Sequence, residues 1–219
     1  MHRFYRHFKG KPYRLIGTAK FSESLEDMTV YETLYENPED KVWVRPKAMF
    51  DEVIERDGKK IARFRPVPQV IEKLEALPDD GIGEEILNIA NKVLNPMSLD
   101  KFKEKFSDKK NTLILMCRIE NELVGFKVGF EQTPGTFYSW LGGVDPSFQR
   151  LGVATAMMNS MFDWCRSRGY TSVETKTTNT NRAMILLNVV SGFDVIDIKP
   201  DKNGVRKILM AKNLTSAPK

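Results

Sequence analysis

Val144-Asp145-Pro146-Ser147-Phe148-Gln149-Arg150-Leu151-Gly152-Val153-Ala154 is the stretch on which the reading of this chain turns. Before it, residues 136–144 carry a β-like pattern. After it, residues 152–168 carry the strongest helical pattern of the chain, with Val153, Met157, Met161, Trp164 and Arg168 on one stripe and Ala154, Met158, Phe162 and Cys165 beside it. Gly169 is the expected C-cap. The stretch is thus a strand-to-helix turn, and Gln149-x-x-Gly152-x-Ala154 puts small residues where the helix begins. There a diphosphate can approach the backbone, successive N–H groups point at its oxygens, and the helix dipole favours its charge. Arg150 adds a cation, and Leu151, Val153 and Thr155 complete the expected contact set. A glycine before a helix is more often plain turn chemistry, so the flanking order has to carry the argument.

Downstream the pattern gives a strand over 172–177, a helix over 181–191 closed by Gly192, and a hairpin of 193–198 with 205–210 across Asn203-Gly204. Upstream come a strand over 69–76 and a helix over 81–95, with Ile82, Ile86, Ile89, Ala90, Val93 and Leu94 at helical spacing and Asn95-Pro96 as its end. A second helix starts at Ser98, with Leu99, Phe102 and Phe106 on one face and Asp100 in the first turn. A meander of 113–119, 123–130 and 136–144 follows, turning at Asn121-Glu122 and at Thr133-Pro134-Gly135.

With the turn motif, this order resembles the GNAT superfamily of N-acetyltransferases over about residues 68 to 214. The resemblance implies an α/β (α+β) fold whose mixed central sheet has splayed strands, 136–144 and 172–177, with pantetheine laid between them along Leu141, Gly142, Gly143 and Val144. It implies acetyl-CoA as co-substrate without a metal, held also by Gln149 to Thr155 and by Asn181, with Asn179 as a second candidate, and a small-molecule or peptide amine as acceptor. Two departures bear on catalysis. Asn188 stands where many relatives carry a tyrosine that protonates the departing sulfur, and an amide is a poor proton donor. A thiol of ordinary pKa, about 8.5, tolerates the loss, and Tyr138 could substitute. Glu174 is the acid of the second splayed strand, two residues off the register of the base in some relatives but on the same face; an acid so placed is more often a solvated or salt-bridged surface residue. Direct acetyl transfer from acetyl-CoA to a primary amine is the first expectation. The alternative is a non-catalytic acyl-CoA-binding or regulatory module with an N-terminal interaction domain, which Asn188 favours.

The first third differs. Short β-like runs at 13–19, 28–35 and 41–45 precede Asp57-Gly58, a hairpin turn between Phe50-Asp51-Glu52-Val53-Ile54 and Ile61-Ala62-Arg63-Phe64. This predicts a small all-β module, a barrel or curled sheet. Tyr5-Arg6-His7-Phe8-Lys9-Gly10, Val42-Trp43-Val44-Arg45-Pro46, Met49-Phe50 and Arg63-Phe64 resemble a short bacterial domain family of unknown function, which supplies no chemistry. Trp43, Tyr31 and Phe50 fit either a core or a ligand groove. Arg65-Pro66-Val67-Pro68 reads as the linker, dividing the chain into domains 1–66 and 67–219. Arg3, Arg6, Lys9, Lys11 and Arg14 alternate with Phe4, Tyr5, Phe8 and Tyr13, a mixture that suits nucleic acid or a basic strand edge; a nucleic-acid partner is not expected.

Bulk properties bound these readings. In 219 residues, 41% hydrophobic and 29% charged, there is room for a medium domain and a small one, both folded. The net charge of +5 suits an anionic ligand such as a CoA phosphate, or simply solubility. No apolar leader and no run of about 18 apolar residues occurs, so a cytoplasmic protein without a membrane partner is expected. Cys117 and Cys165 sit in apolar patterns far from His2 and His7, which leaves no metal-ligand spacing. Monomer and dimer both fit the sequence.

Overall fold

A computed structural model describes residues 4–201 and 203–215; His2 and Arg3 lie outside the described residues. The chain divides after Gln69 into two units, each treated by itself below.

The first unit holds β1 (Phe4–His7), β2 (Pro12–Lys20), β3 (Asp27–Thr33), β4 (Val42–Pro46), a single helical turn α1 (Lys47–Phe50), β5 (Val53–Arg56), β6 (Lys59–Ala62) and β7 (Phe64–Pro66). Five strands form an antiparallel sheet in the order β4-β3-β2-β1-β7, and β5 pairs separately with β6. Asp57 and Gly58, at φ of 52° and 72°, join Arg56 to its partner Lys59 as a two-residue turn with both positions left-handed. Phe50 and Asp51, expected to open this hairpin, instead belong to α1 and its C-cap. The cause is burial: Phe50 stacks on Phe64, 4.2 Å between ring centroids, in a core with Tyr31, against which Tyr5, Tyr13 and Trp43 pack. The basic N-terminal segment is no strand edge, because β1 lies between β2 and β7. The expected linker also shifts. Pro66 ends β7 opposite Tyr5, and the Val67 N–H donates to the Phe4 carbonyl at 3.0 Å, so 65–67 continue the first sheet. Proline is tolerated there because β7 is an edge.

The second unit contains β8 (Gln69–Leu74), α2 (Asp80–Val93), α3 (Leu99–Phe106), β9 (Leu113–Ile119), β10 (Glu122–Thr133), β11 (Thr136–Val144), α4 (Val153–Ser167), β12 (Ser172–Thr178), α5 (Arg182–Val190), β13 (Asp194–Pro200) and β14 (Arg206–Asn213). Its seven-stranded mixed sheet runs β13-β14-β12-β11-β10-β9-β8, with β11 and β12 parallel. Asp79 and Ser98 cap α2 and α3 by accepting the Ile82 and Lys101 N–H groups. These helices bury Ile86, Leu87, Ile89, Ala90, Phe102 and Phe106 on a sheet face that presents Ile114, Met116, Phe126 and Val128. Side chains alternate along β10, so Gly125 and Lys127 face the other way, toward α4. A Cβ on Gly125 would lie 2.8 Å from Val153, which is how closely α4 approaches the sheet.

Three local readings are corrected. Arg168 leaves the apolar stripe at the C-cap of α4; it is exposed, its guanidinium carbon 5.4 Å from the Trp164 ring centroid and paired with Glu75. Glu120 and Asn121, at φ of 51° and 71°, make the β9–β10 turn one residue earlier than expected. The β13–β14 connection is longer than Asn203-Gly204, with the Asp201 N–H bonded to the Val205 carbonyl. Among the described residues no helix is long and apolar enough to cross a membrane.

Candidate functional site

The site begins where β11 and β12 stop pairing. Their register runs Thr136↔Ser172, Phe137↔Val173 and Tyr138↔Glu174 and ends there, although both strands continue. A last tie follows at once: the Thr175 hydroxyl donates to the Ser139 carbonyl at 2.9 Å. Beyond it the strands part, and the backbone of β11 from Trp140 to Val144 has a strand partner on the β10 side only.

A bulge sets which groups of β11 face the gap. Gly129 pairs with Ser139 and Val128 with Leu141, so Trp140 is the extra residue. Only glycine fits opposite: a Cβ on Gly129 would meet the Phe137 ring at 2.4 Å and the Tyr138 carbonyl oxygen at 2.6 Å. After the bulge the Asp145 N–H bonds to the Val124 carbonyl across on β10. Antiparallel alternation then turns Gly143 toward β10, and turns the N–H and C=O groups of Gly142 and Val144 to the gap.

The gap leads to the N-terminus of α4. Leu151 is buried and anchors the turn. Arg150 and Gly152 take left-handed φ of 65° and 84°, and Gly152 is an N-cap without a side-chain capping bond. The first intrahelical bond runs from the Ala156 N–H to the Gly152 carbonyl, which leaves the N–H groups of Val153, Ala154 and Thr155 at an uncapped, dipole-positive end. No atom lies within 4 Å of the position a Gly152 Cβ would take. Gln149 is exposed, but its Nε2 donates to the Val144 carbonyl at 3.2 Å and braces strand against loop. Asp145 holds the same loop by accepting from Lys92 at 2.7 Å and from the Ser147 N–H at 3.0 Å.

On the sheet face that carries α3, two cavities of about 540 Å³ each share Tyr138 and Trp140 as lining. One reaches Lys176, Asn181, Asp201 and Leu209; the other reaches Glu104 and Lys109. Tyr138 and Glu174 form the last paired rung beside them. Burial, with the Glu174 carboxylate adding, raises the Tyr138 pKa, so the phenol keeps its proton at neutral pH. Glu174 accepts from Gln132 Nε2 at 3.0 Å.

Two sequence candidates are tied up elsewhere. The side-chain oxygen of Asn181 accepts from the Met184 N–H at 3.2 Å as the N-cap of α5, leaving its Nδ2 for another acceptor. Asn188 is 1% exposed, with Nδ2 directed at the Met210 sulfur, 3.6 Å away, in the packing of α5 on β14. It does not line either cavity. Asn179 is exposed at the end of β12. Sequence reasoning missed the bulge at Trp140, the Thr175 tie and the place of the expected β13–β14 hairpin on a cavity wall; of these only the bulge had a signal, the isolated glycine at 129 inside a strand pattern.

Residues 83–188 match the model of the acetyltransferase (GNAT) family, and residues 3–66 match a family described as protein of unknown function (DUF1653). Among solved structures, the chain is similar to the ribosomal-protein-S18-alanine N-acetyltransferase from Escherichia coli, at 20% identity over 69% of this chain and 97% of that one, TM-score 0.58. It is similar to Ard1 from Thermoplasma volcanium, at 20% identity, 67% and 99% coverage and TM-score 0.56. It is similar too to the aminoglycoside 6'-N-acetyltransferase from Enterococcus faecium, at 15% identity, 68% and 99% coverage and TM-score 0.57. At such identities these likenesses speak for the fold. No curated protein matches the chain. The fold and the family match define an acyltransferase. The chain carries a domain of the acetyltransferase (GNAT) family, preceded by a DUF1653 domain.

Proposed function

We propose that this protein transfers an acetyl group from acetyl-CoA directly to a primary amine, without a covalent enzyme intermediate. The observation that carries this reading is the parting of β11 from β12 after Tyr138 and Glu174, next to the uncapped N-terminus of α4. The donor set fits the co-substrate: Gly142 and Val144 offer backbone groups to the amides of a pantetheine arm, and Val153, Ala154 and Thr155 offer N–H groups to a diphosphate. When bound, acetyl-CoA supplies an activated acyl group as a thioester.

The chain's own residues divide the remaining work. Backbone N–H groups at the Trp140 bulge orient and polarise a carbonyl oxygen in the gap. Glu174 accepts a proton from the ammonium of the acceptor, directly or through water, and Tyr138 donates one to the leaving sulfur. Asn188 has no proton role in this scheme; it packs α5 on β14. Trp140 and the β13–β14 hairpin wall the acceptor side, where a small-molecule or peptide amine enters. We assign residues 1–66 to a separate domain, with the change of domain falling between Pro66 and Val70.

Heating the protein with and without acetyl-CoA tests the cofactor half: a ligand-dependent rise in melting temperature is expected, and none at saturating ligand overturns the reading. Thiol release from acetyl-CoA over a panel of amines tests the transfer. Binding without acceleration by any amine would leave the alternative, a non-catalytic acyl-CoA-binding module, which the burial of Asn188 favours.

A further inference from the structure

The first unit gathers cations that acyl transfer does not use. His7, at the end of β1, has its ring 4.3 Å from that of Phe8 and 4.8 Å from that of Phe64. Lys9 Nζ and the guanidinium carbons of Arg56 and Arg63 lie 5.9, 5.7 and 5.9 Å from the Phe8 ring centroid. The guanidinium carbon of Arg45, on β4, is 5.9 Å from the Phe64 centroid, and its Nε donates to the Tyr31 hydroxyl at 3.3 Å. Four cations from separate segments therefore surround adjoining aromatic rings.

Carboxylates do not balance them. Glu52 accepts from Arg63 at 2.6 Å, and Asp57, 89% exposed, lies 3.7 Å from Arg56. Among the described residues Arg45 and Lys9 have no carboxylate within ion-pair distance, and Arg63 Nε is buried without an acceptor. His7 registers the imbalance: burial first, then Arg63, Arg45 and Lys9, push its pKa down to about 4. Its Nδ1 accepts from the Lys9 N–H at 3.4 Å, which puts the proton of the neutral ring on Nε2 as a donor.

Arg45 and Arg63 are half-buried and Lys9 is exposed beside them; like charges so placed repel, and an anion with several acceptor oxygens relieves that repulsion while taking bidentate bonds from arginine. We infer that His7, Lys9, Arg45 and Arg63 form a binding site for a phosphate group, with the Phe8 ring beside it able to stack on a planar portion of the ligand. This site is independent of the acetyl-transfer reading. A carboxylate, with two oxygens in one plane, satisfies fewer of the converging donors.

The test uses the full chain carrying His2→Gln, so that His7 gives the only imidazole signals. Inorganic phosphate, acetate, adenosine and adenosine 5'-monophosphate are titrated at pH 6.5 and constant ionic strength, with chloride as reference. The His7 signals should move saturably with phosphate and with the monophosphate, and not with acetate or adenosine. At least tenfold tighter binding of the monophosphate means that a ring-bearing phosphomonoester is the ligand class; equal binding means that the phosphate alone is read. In phosphate the His7 midpoint should rise by about one unit or more above its value in chloride, because an adjacent anion favours the imidazolium. Arg45→Ala should weaken phosphate at least tenfold, and Arg45→Lys, which keeps the charge but loses the Nε bond to the Tyr31 hydroxyl, by less. Identical unsaturable shifts in phosphate, acetate and chloride, or an Arg45→Ala protein that binds phosphate like the parent, overturn the site.

Discussion

The two units solve the problem of holding an anion with different materials. In the acyltransferase unit the proposed donors are backbone groups, exposed because β12 leaves β11 and because no side chain caps α4. In the first unit they are side chains, Arg45, Arg63, Lys9 and His7, brought from three places in the chain onto one aromatic cluster. A backbone site depends on the absence of side chains at particular positions, and a side-chain site on their presence. The first kind is broken by adding atoms, the second by removing them.

Gly152→Val is therefore the sharpest attack on the backbone site. Open space surrounds the Cβ position, so the free protein meets no clash, but φ is +84° and a β-branched residue is strongly disfavoured there. The loop must rearrange, and the new methyl groups occupy the path of a diphosphate. Acetyl-CoA affinity should fall at least 100-fold by calorimetry, on the order of 3 kcal/mol. Gly152→Ala, with a smaller strain of about 1 kcal/mol, should lose several-fold. Equal affinities in the two variants and the parent would remove the diphosphate from this turn.

Next in size is the rung that precedes the gap. Tyr138→Phe removes a proton donor, and Glu174→Gln removes a proton acceptor. Each should lower kcat with the best amine by roughly 10- to 100-fold while leaving acetyl-CoA affinity nearly unchanged. The alkaline limb of the pH profile should belong to Tyr138, whose pKa lies above the ordinary tyrosine range, and should vanish in Tyr138→Phe. A loss confined to KM would recast both residues as walls of the acceptor cavity.

A third effect concerns stability. Lys127 is buried under α4 in the middle of the sheet, and burial lowers its pKa from 10.5 to about 8, with Cys165 weakly opposing. The unfolded chain binds this proton more tightly than the folded one, so the cost of the buried ammonium is complete below pH 8 and is relieved as pH rises through 8 toward 10.5. Lys127→Met should raise stability at pH 7 by about 1–3 kcal/mol and flatten the rise between pH 8 and 10. Denaturant melts at several pH values decide it; destabilisation at pH 7 would mean that the ammonium has a partner in solution.

The elements that frame the proposed backbone site were legible because they are local. The stretch 144–154 contains its strand end, its glycine and its helix start in one short segment, and the order of strands and helices around it separates it from an ordinary glycine turn. Asn188 shows the limit of the same reading: its place in the sequence marks a position on α5, whereas whether that face meets the gap or Met210 depends on how α5 packs on β14. Trp140 was illegible for a related reason, since a bulge exists only relative to the partner strand, here through Gly129. In the first unit the aromatics and cations were visible one by one. Their convergence depends on β1 lying between β2 and β7, a pairing that neither Arg6-His7-Phe8-Lys9 nor Arg63-Phe64 encodes alone.

The smallest effect tests whether the comparison between units is legitimate at all. If each unit holds its site with its own material, removal of the first should leave the second's ligand affinity almost untouched. A fragment beginning at Pro68 keeps β8 whole and gives up the bond from the Val67 N–H to the Phe4 carbonyl, which belongs to the first sheet. Every residue assigned to acetyl-CoA lies at or beyond Tyr138, on a sheet whose helices α2 and α3 and strand β10 are all retained. Its acetyl-CoA dissociation constant should match that of the whole chain within about twofold, a difference below 0.5 kcal/mol. The complementary piece, 1–67, has the smaller core, resting on Tyr31, Phe50 and Phe64, and should be the less stable of the two. Limited proteolysis of the whole chain should cut between 66 and 70 and release a fragment that still binds acetyl-CoA. A fragment that binds only when 1–67 is added back would join the two units into one site, and the contrast between backbone and side-chain recognition would then describe two parts of a single ligand's environment.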